Sequence, residues 1–342
     1  MLKPTPFLAA NARFSDPIVV GNMMYVTTSG NCGGAADGVW GLDLAAESRP
    51  VASWRVNGGS PVGPLAFTTD GTIILAVGPG TTTMGGFANA IVALDPKTLQ
   101  PKDWFTQPSA EFVTGPLVFV EGDKTVVAAA TKDGRLWLLD AASLGGANHS
   151  TPMHVSRSFA ASGMPLAPGA LAMWQQVIPA PTPPPAAAPA PTTAAPTGPP
   201  APPAPTVLPG TRWLLLPVSG GLPTDLGVPA TGAITNGAIL AIKVQNSNGR
   251  FSLEPGWVSG DLASPMTPLV VNGVVFGLSR GGRTLPAVLH AWDGMTGREL
   301  WNSGKAIISP ATGPSFWSGT GQVYVGTSDG TVYAFGFAME RK

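Results

Sequence analysis

Only one of the 342 residues is a cysteine, Cys32, so no disulfide forms within the chain, and paired-cysteine metal sites and CxxCH haem attachment are excluded. Charge is scarce as well. Charged residues make up 11% of the chain, with 19 Lys plus Arg against 19 Asp plus Glu, which leaves no net field to draw it onto nucleic acid or an anionic membrane surface. No apolar run approaches the roughly 18 residues that a spanning helix needs, because prolines and polar residues interrupt every candidate. The first twelve residues also lack an apolar stretch long enough for a secretory signal. The expected location is therefore the cytoplasm, or the periplasm or exterior of a bacterial cell if a leader has been removed. Histidine is nearly absent too: His149, His154 and His290 are the only three.

Glycine and proline are abundant instead, with 44 and 37 residues, and both break helix interiors and favour turns between strands. With 44% apolar content, the composition predicts a folded all-β chain.

The chain repeats itself. A strand-like segment recurs as Gly38-Val39-Trp40-Gly41-Leu42-Asp43, Ala90 to Asp95, Arg135 to Asp140, Ala238 to Lys243, Val288 to Asp293 and Thr331 to Gly336. A Pro-led apolar segment precedes most copies: Pro17 to Val20, Pro64 to Phe67, Pro116 to Phe119, Pro268 to Val271 and Pro314 to Trp317, with Gly169 to Trp174 as the odd member. Hairpin signals such as Asp70-Gly71 and Asn272-Gly273 lead from it into a second strand. A tryptophan marks a fourth strand at Trp54, Trp104, Trp257 and Trp301. Four short strands in each unit of about 45 residues match a β-propeller blade. The expectation is one domain over residues 1–342 with six four-stranded antiparallel blades, the alternative being seven or eight. Residues 4–12 would supply the strand that closes the last blade and so hide two open edges. A Pro/Ala/Thr-rich stretch, residues 179–210, reads as a loop inserted between the first two strands of blade four, extended and solvated because proline cannot donate to a sheet.

Asp293-Gly294-Met295-Thr296-Gly297-Arg298-Glu299-Leu300-Trp301, together with Val323 to Ala334, resembles the repeat of pyrroloquinoline quinone (PQQ) type propellers. The match is close in units five and six and partial elsewhere. Within that pattern Thr-Gly makes a turn and Trp packs between blades. The resemblance implies either a noncatalytic scaffold or a quinoprotein dehydrogenase that oxidises alcohols or sugars with PQQ and calcium. The subtype with two adjacent cysteines beside the quinone does not fit a chain with Cys32 alone, and the subtype with a histidine base has three histidines to draw on.

None of these residues makes a clear catalytic set. His290 sits mid-strand and reads as packed, and His149 and His154 lie five apart in a polar connection, a poor ligand geometry. Asp43, Asp95, Asp140 and Asp293 follow third strands, where aspartate accepts backbone N–H bonds in the next turn. No cofactor is therefore expected, PQQ with calcium being the alternative. Function is expected in four enlarged connections between second and third strands, Ser29 to Gly38, Gly78 to Asn89, Ser219 to Gly237 and Ser279 to Ala287, on one face of the ring. Their candidate binding residues are Asn31, Cys32, Met84, Asp225, Arg280 and Arg283, the two arginines being suited to a carboxylate or phosphate. Cys32, with no base or cation nearby in sequence, reads as a small packed residue. The expected protein is a noncatalytic scaffold that takes a protein or small ligand on that face.

Overall fold

The computed structural model describes residues 5–15, 17–82, 85–166, 169–179, 207–228 and 232–336. Apart from two short 3-10 turns, Cys32–Gly34 and Gly146–Asn148, its regular structure is all strand. Among the described residues no helix is long and apolar enough to cross a membrane.

Consecutive strands fold up and down into six antiparallel sheets. Sheet one holds Ile18–Val20, Met23–Thr28, Gly38–Asp43 and Val51–Arg55; sheet two holds Gly59–Phe67, Ile73–Gly80, Ala90–Leu94 and Pro101–Thr106. Sheet three is Leu117–Glu121, Lys124–Ala130, Leu136–Asp140 and His154–Val155, and sheet four is Ala172–Pro179, Val207–Ser219, Gly237–Ser247 and Arg250–Val258. Sheet five is Leu269–Val271, Val274–Ser279, Val288–Asp293 and Glu299–Asn302, and sheet six is Ala311–Gly319, Gln322–Thr327 and Val332–Gly336. All six third strands fall where the repeat puts them, but the loop expected over residues 179–210 is shorter than that: Pro179 and Val207 to Gly210 belong to the flanking strands, with Pro179 opposite Val207, because the hairpin continues as far as the backbone can pair.

Both faces of the second and third strands of sheets two to five are apolar because each of these sheets is covered on two sides. One buried cluster joins sheets one and two through Tyr25, Val39, Leu75 and Val92. Others join two with three, three with four, four with five and five with six. Among the described residues no such cluster joins sheet six to sheet one. The aspartates ending third strands do what their position predicts: Asp95 Oδ1 accepts from the N–H of Lys97 (3.0 Å) and Thr98 (2.8 Å), and Asp293 Oδ1 from those of Met295 (3.2 Å) and Thr296 (2.9 Å). Tryptophans of the fourth strands bridge sheets. Trp104 stacks on His149 of the next sheet's connection at 3.8 Å, and Trp257 Nε1 donates to Gly294 O at 2.8 Å.

First strands lie innermost. Beside the axis, Thr114–Gly115 and Gly169–Ala170, which lead into sheets three and four, pair in parallel. Gly63 of sheet two approaches so closely that a Cβ there would lie 2.4 Å from Gly115 N and 3.2 Å from Gly169 O. The inner strands of sheets two, three and four therefore touch backbone to backbone.

The N-terminal clasp requires correction. Sheet six has three strands among the described residues, and residues 5–12 form none. They run beside sheet one, anchored where Arg49 Nη1 donates to Thr5 Oγ1 (3.1 Å) and where Ala10 to Ala12 cover Gly33, whose Cβ would sit 2.3 Å from Ala10 O. Residues 13–15 then pair with the second strand of sheet one, with Ser15 N donating to Thr27 O at 2.9 Å and Phe14 bridging Thr28. An intact hydrogen-bonded strand in sheet one wins over an edge at the far end of the chain, because its pairing partners are close in sequence and cost little loop entropy.

Candidate functional site: a cleft on the loop face

Connections from second to third strands and from each sheet to the next share one face. The candidate residues are spread around it and most are engaged in holding loops. Asn31 is left-handed (φ 47°); its N–H donates to Asp37 Oδ1 at 2.6 Å and its side-chain oxygen accepts from Asp37 N at 3.2 Å. Asp37 is buried and also accepts from the Ser60 hydroxyl, so this group ties the first loop to sheet two. Cys32 is exposed, contrary to the packed position expected of it, because the turn it opens is pressed down at Gly33 and leaves the thiol outside, 3.4 Å from Gly30 O. Met84 lies outside the described residues. Asp225 is exposed but held: Arg157 Nη1 donates to its carboxylate (3.2 Å) and its carbonyl (2.9 Å), and Nη2 to Leu226 O (2.9 Å). Arg280 is exposed, with Nε donating to Ala311 O at 3.2 Å, so it braces the passage from sheet five to six. Arg283 stands exposed at the tip of that loop. These residues do not converge, and none of them lines the cleft that this face does contain.

That cleft, of about 820 Å3, lies over the tight hairpin of sheet three and is lined by Glu111, Lys132, Asp133, Arg135, Ser158 and Pro223 among others. The short turn itself makes the space. Thr131 Oγ1 donates to Asp133 Oδ1 (2.5 Å) and Gly134 takes φ 80°, so the chain reverses at once, while the connections on either side are long. Those connections are fastened to the hairpin: Lys132 N donates to Glu111 O at 2.8 Å, Leu166 N to Lys132 O at 2.7 Å and Phe159 N to Gly134 O at 2.8 Å. Gly134 is required, since a Cβ there would lie 2.4 Å from Ala160 N.

Charge in the cleft is balanced and paired. Lys132 Nζ meets Glu111 Oε2 at 2.7 Å, and Arg135 Nε meets Asp133 Oδ2 at 3.0 Å, all four side chains partly exposed. Such a lining can exchange its partners for those of a mixed-charge surface but presents no concentrated field to a polyanion. Sequence reasoning missed these residues. The signal visible in the sequence is a short hairpin, Lys132-Asp133-Gly134, between two long connections.

Among the described residues, no nucleophile, base and acid are seen assembled together. His149 Nδ1 lies 3.1 Å from both Trp104 O and Asp103 Oδ1, and His290 Nδ1 lies 2.8 Å from Glu299 Oε1. These histidines belong to different sheets and are held by outer strands. Among the described residues no three His, Cys, Asp or Glu side chains gather in one place.

Next to the fourth-sheet loop, Asp261 accepts from the N–H of Thr235 (2.8 Å) and Asn236 (2.7 Å) and from Asn236 Nδ2 (2.6 Å). Desolvation raises its pKa, but the hydrogen bonds from Asn236, Thr235 and Gly237 outweigh it and lower the pKa to about 2. Because the folded pKa lies below the ordinary 3.8, the contribution is complete above about pH 4 and is lost as the pH falls through about 2. Protection factors of the Thr235 to Gly237 amides, taken relative to intrinsic exchange at each pH, should therefore fall over that window in the parent chain. In Asp261→Asn they should be lower at neutral pH and flat across the window; unchanged protection at neutral pH would refute the role.

No family model matches the chain, and no curated protein matches its sequence. Two solved structures are similar to it in fold: BBS1N in complex with ARL6DN, soaked with mercury in one case and with lead in the other. The first has 12% identity and TM-score 0.50, covering 98% of this chain and 79% of that one; the second has 12% identity and TM-score 0.49, covering 97% and 79%. At this identity the likeness concerns fold alone. Together with successive meanders packed face to face around inner first strands, the likeness to the first of these structures makes the architecture of this chain a β-propeller.

Proposed function

We propose that this chain is a noncatalytic propeller that binds another protein on its loop face, with the cleft over Lys132 to Arg135 at the centre of contact. In this reading the six sheets are six blades of a PQQ-like repeat, and the ring closes where sheet six meets sheet one. The observation that carries the reading is the cleft: a concave space of about 820 Å3, walled by rigidly fastened connections and lined by paired charges of both signs. It has the mixed polar chemistry of a protein interface and no reactive constellation. The structurally similar BBS1N is itself found in a complex, with ARL6DN, which agrees with binding as a use of this architecture.

A photo-crosslinking residue placed at Ser162 on the cleft wall, tested in the native host, should yield one discrete adduct, and the same residue at Asn248 on the opposite face should yield none. Reversing charge with Lys132→Glu and Arg135→Glu together should reduce the adduct at least tenfold. Equal adducts from both faces, or an adduct indifferent to the reversal, would remove the cleft from the proposal.

A further inference from the structure

Two segments far apart in sequence meet at the wall of the cleft: the connection from sheet three to sheet four, which contributes Ser158 to Pro165, and the fourth-sheet loop, which contributes Pro223. Side chains join these segments at two places. One is the guanidinium of Arg157 on Asp225 and Leu226. The other is a methionine. Met164 sits in a turn, its N–H donating to Ala161 O at 3.0 Å, and its side chain reaches the loop 57 positions on, where Sδ accepts from Gly221 N at 3.3 Å. The sulfur rests on the bare Cα of Gly220, since a Cβ there would lie 2.3 Å from Sδ and 3.5 Å from Cγ. Gly220 has φ 75° and its N–H donates to Asn236 O at 2.9 Å, so the sulfur grips the fixed base of the loop. Met164 itself lines the cleft and is 46% exposed.

Leucine would fill the same space at little cost. What the thioether adds is an acceptor for Gly221 N–H and a site of two-electron oxidation.

We propose that Met164 is an oxidation-sensitive latch: conversion of its thioether to the sulfoxide by a hydroperoxide frees the fourth-sheet loop at Gly220 and Gly221 and weakens protein binding at the cleft. The second effect rests on the cleft being the binding site; the first does not. In the reaction a lone pair of Sδ attacks one oxygen of hydrogen peroxide, the O–O bond breaks and an S–O bond forms. Sulfur gives up two electrons, and the other oxygen leaves as water after taking the proton of the transferred hydroxyl. An oxygen added on the lone pair that accepts from Gly221 stands where the N–H now lies. Added on the other, it turns an apolar side chain pressed on Gly220 into a polar, solvated one. Either product favours water over the seat, and a dithiol-driven sulfoxide reductase reverses the change.

The test uses full-length protein carrying Cys32→Ser, which removes the exposed thiol as a competing target. Met295, 48% exposed in the turn between the third and fourth strands of sheet five, on the opposite face, is the internal reference. After hydrogen peroxide, peptide mass spectrometry should find Met164 and Met295 converted at similar rates, and the amide protection of Gly221 should fall about fivefold, as for the loss of one hydrogen bond. Sulfoxide reductase should restore it. In Met164→Leu, Gly221 should be poorly protected from the start and indifferent to peroxide. Met164 left as the thioether while Met295 is converted would overturn the latch, as would unchanged Gly221 protection with Met164 oxidised. The crosslink from Ser162 tests the second effect: Met164→Gln, polar like the sulfoxide, should reduce the adduct about fivefold, and Met295→Gln should leave it intact. An adduct indifferent to Met164→Gln would overturn the effect on binding while leaving the cleft as the site. No adduct in the parent would refute the cleft itself, with the latch still read from Gly221.

Discussion

Arg212→Met is expected to lower the unfolding free energy by about 3–5 kcal/mol, read as a drop in the urea midpoint. The side chain is 9% exposed and joins sheet four to the first hairpin of sheet three. Its Nε donates to Glu121 Oε2 at 2.7 Å, and Nη2 donates to Val120 O and Gln175 Oε1, each at 2.7 Å. Its guanidinium also lies 5.0 Å from the Phe119 ring centre. Methionine keeps most of the aliphatic contact but leaves a largely buried carboxylate and a carbonyl without donors, and an uncompensated charge is the costly part of breaking such a pair. Arg212→Met with Glu121→Met should recover much of the loss, since neither partner then stays buried and alone. A single-variant loss below about 1 kcal/mol, the range of a solvated surface pair, would show that water replaces the guanidinium.

Gly63→Val should be comparably damaging, at about 2–6 kcal/mol, from two causes. Gly63 has φ 65°, a left-handed conformation that a β-branched residue adopts only with strain of about 1–3 kcal/mol. Its Cβ would also fall 2.4 Å from Gly115 N, in backbone that cannot rotate away, adding overpacking of about 1–3 kcal/mol. Gly169→Ala is the control. It belongs to the same cluster of inner strands, but a Cβ there meets nothing within 4 Å, so its effect should stay within about 1 kcal/mol. Equal midpoints for both variants would mean that the inner strands can separate freely.

Much of the fold is legible along the chain because its signals are local. The Leu-Asp strand ends work through bonds to residues two and three positions on, as at Asp95 and Asp293. Tight hairpins work through a threonine, aspartate and glycine within five residues, as at Thr131 to Arg135 and Thr327 to Thr331. Such signals survive in any tertiary setting. The N-terminal clasp was not legible in this way, since the choice between sheet six and sheet one depends on which backbone edge residues 5–15 meet.

The loop face divides similarly. The enlarged connections share one face as their lengths predict, but three of the residues chosen on them hold the loops: Asn31 through Asp37, Asp225 through Arg157 and Arg280 through Ala311. Arg157 and Asp225 are 68 positions apart, and Arg212 and Glu121 are 91 apart, so neither pairing leaves a mark in the local sequence. The sequence by itself determined the strand period, the turns and the neutral, proline-rich insertion, because each is a property of a few adjacent residues. Only the tertiary structure decided where the cleft lies and which arginines are spent on scaffolding. Those follow from which distant segments the stacked sheets bring side by side.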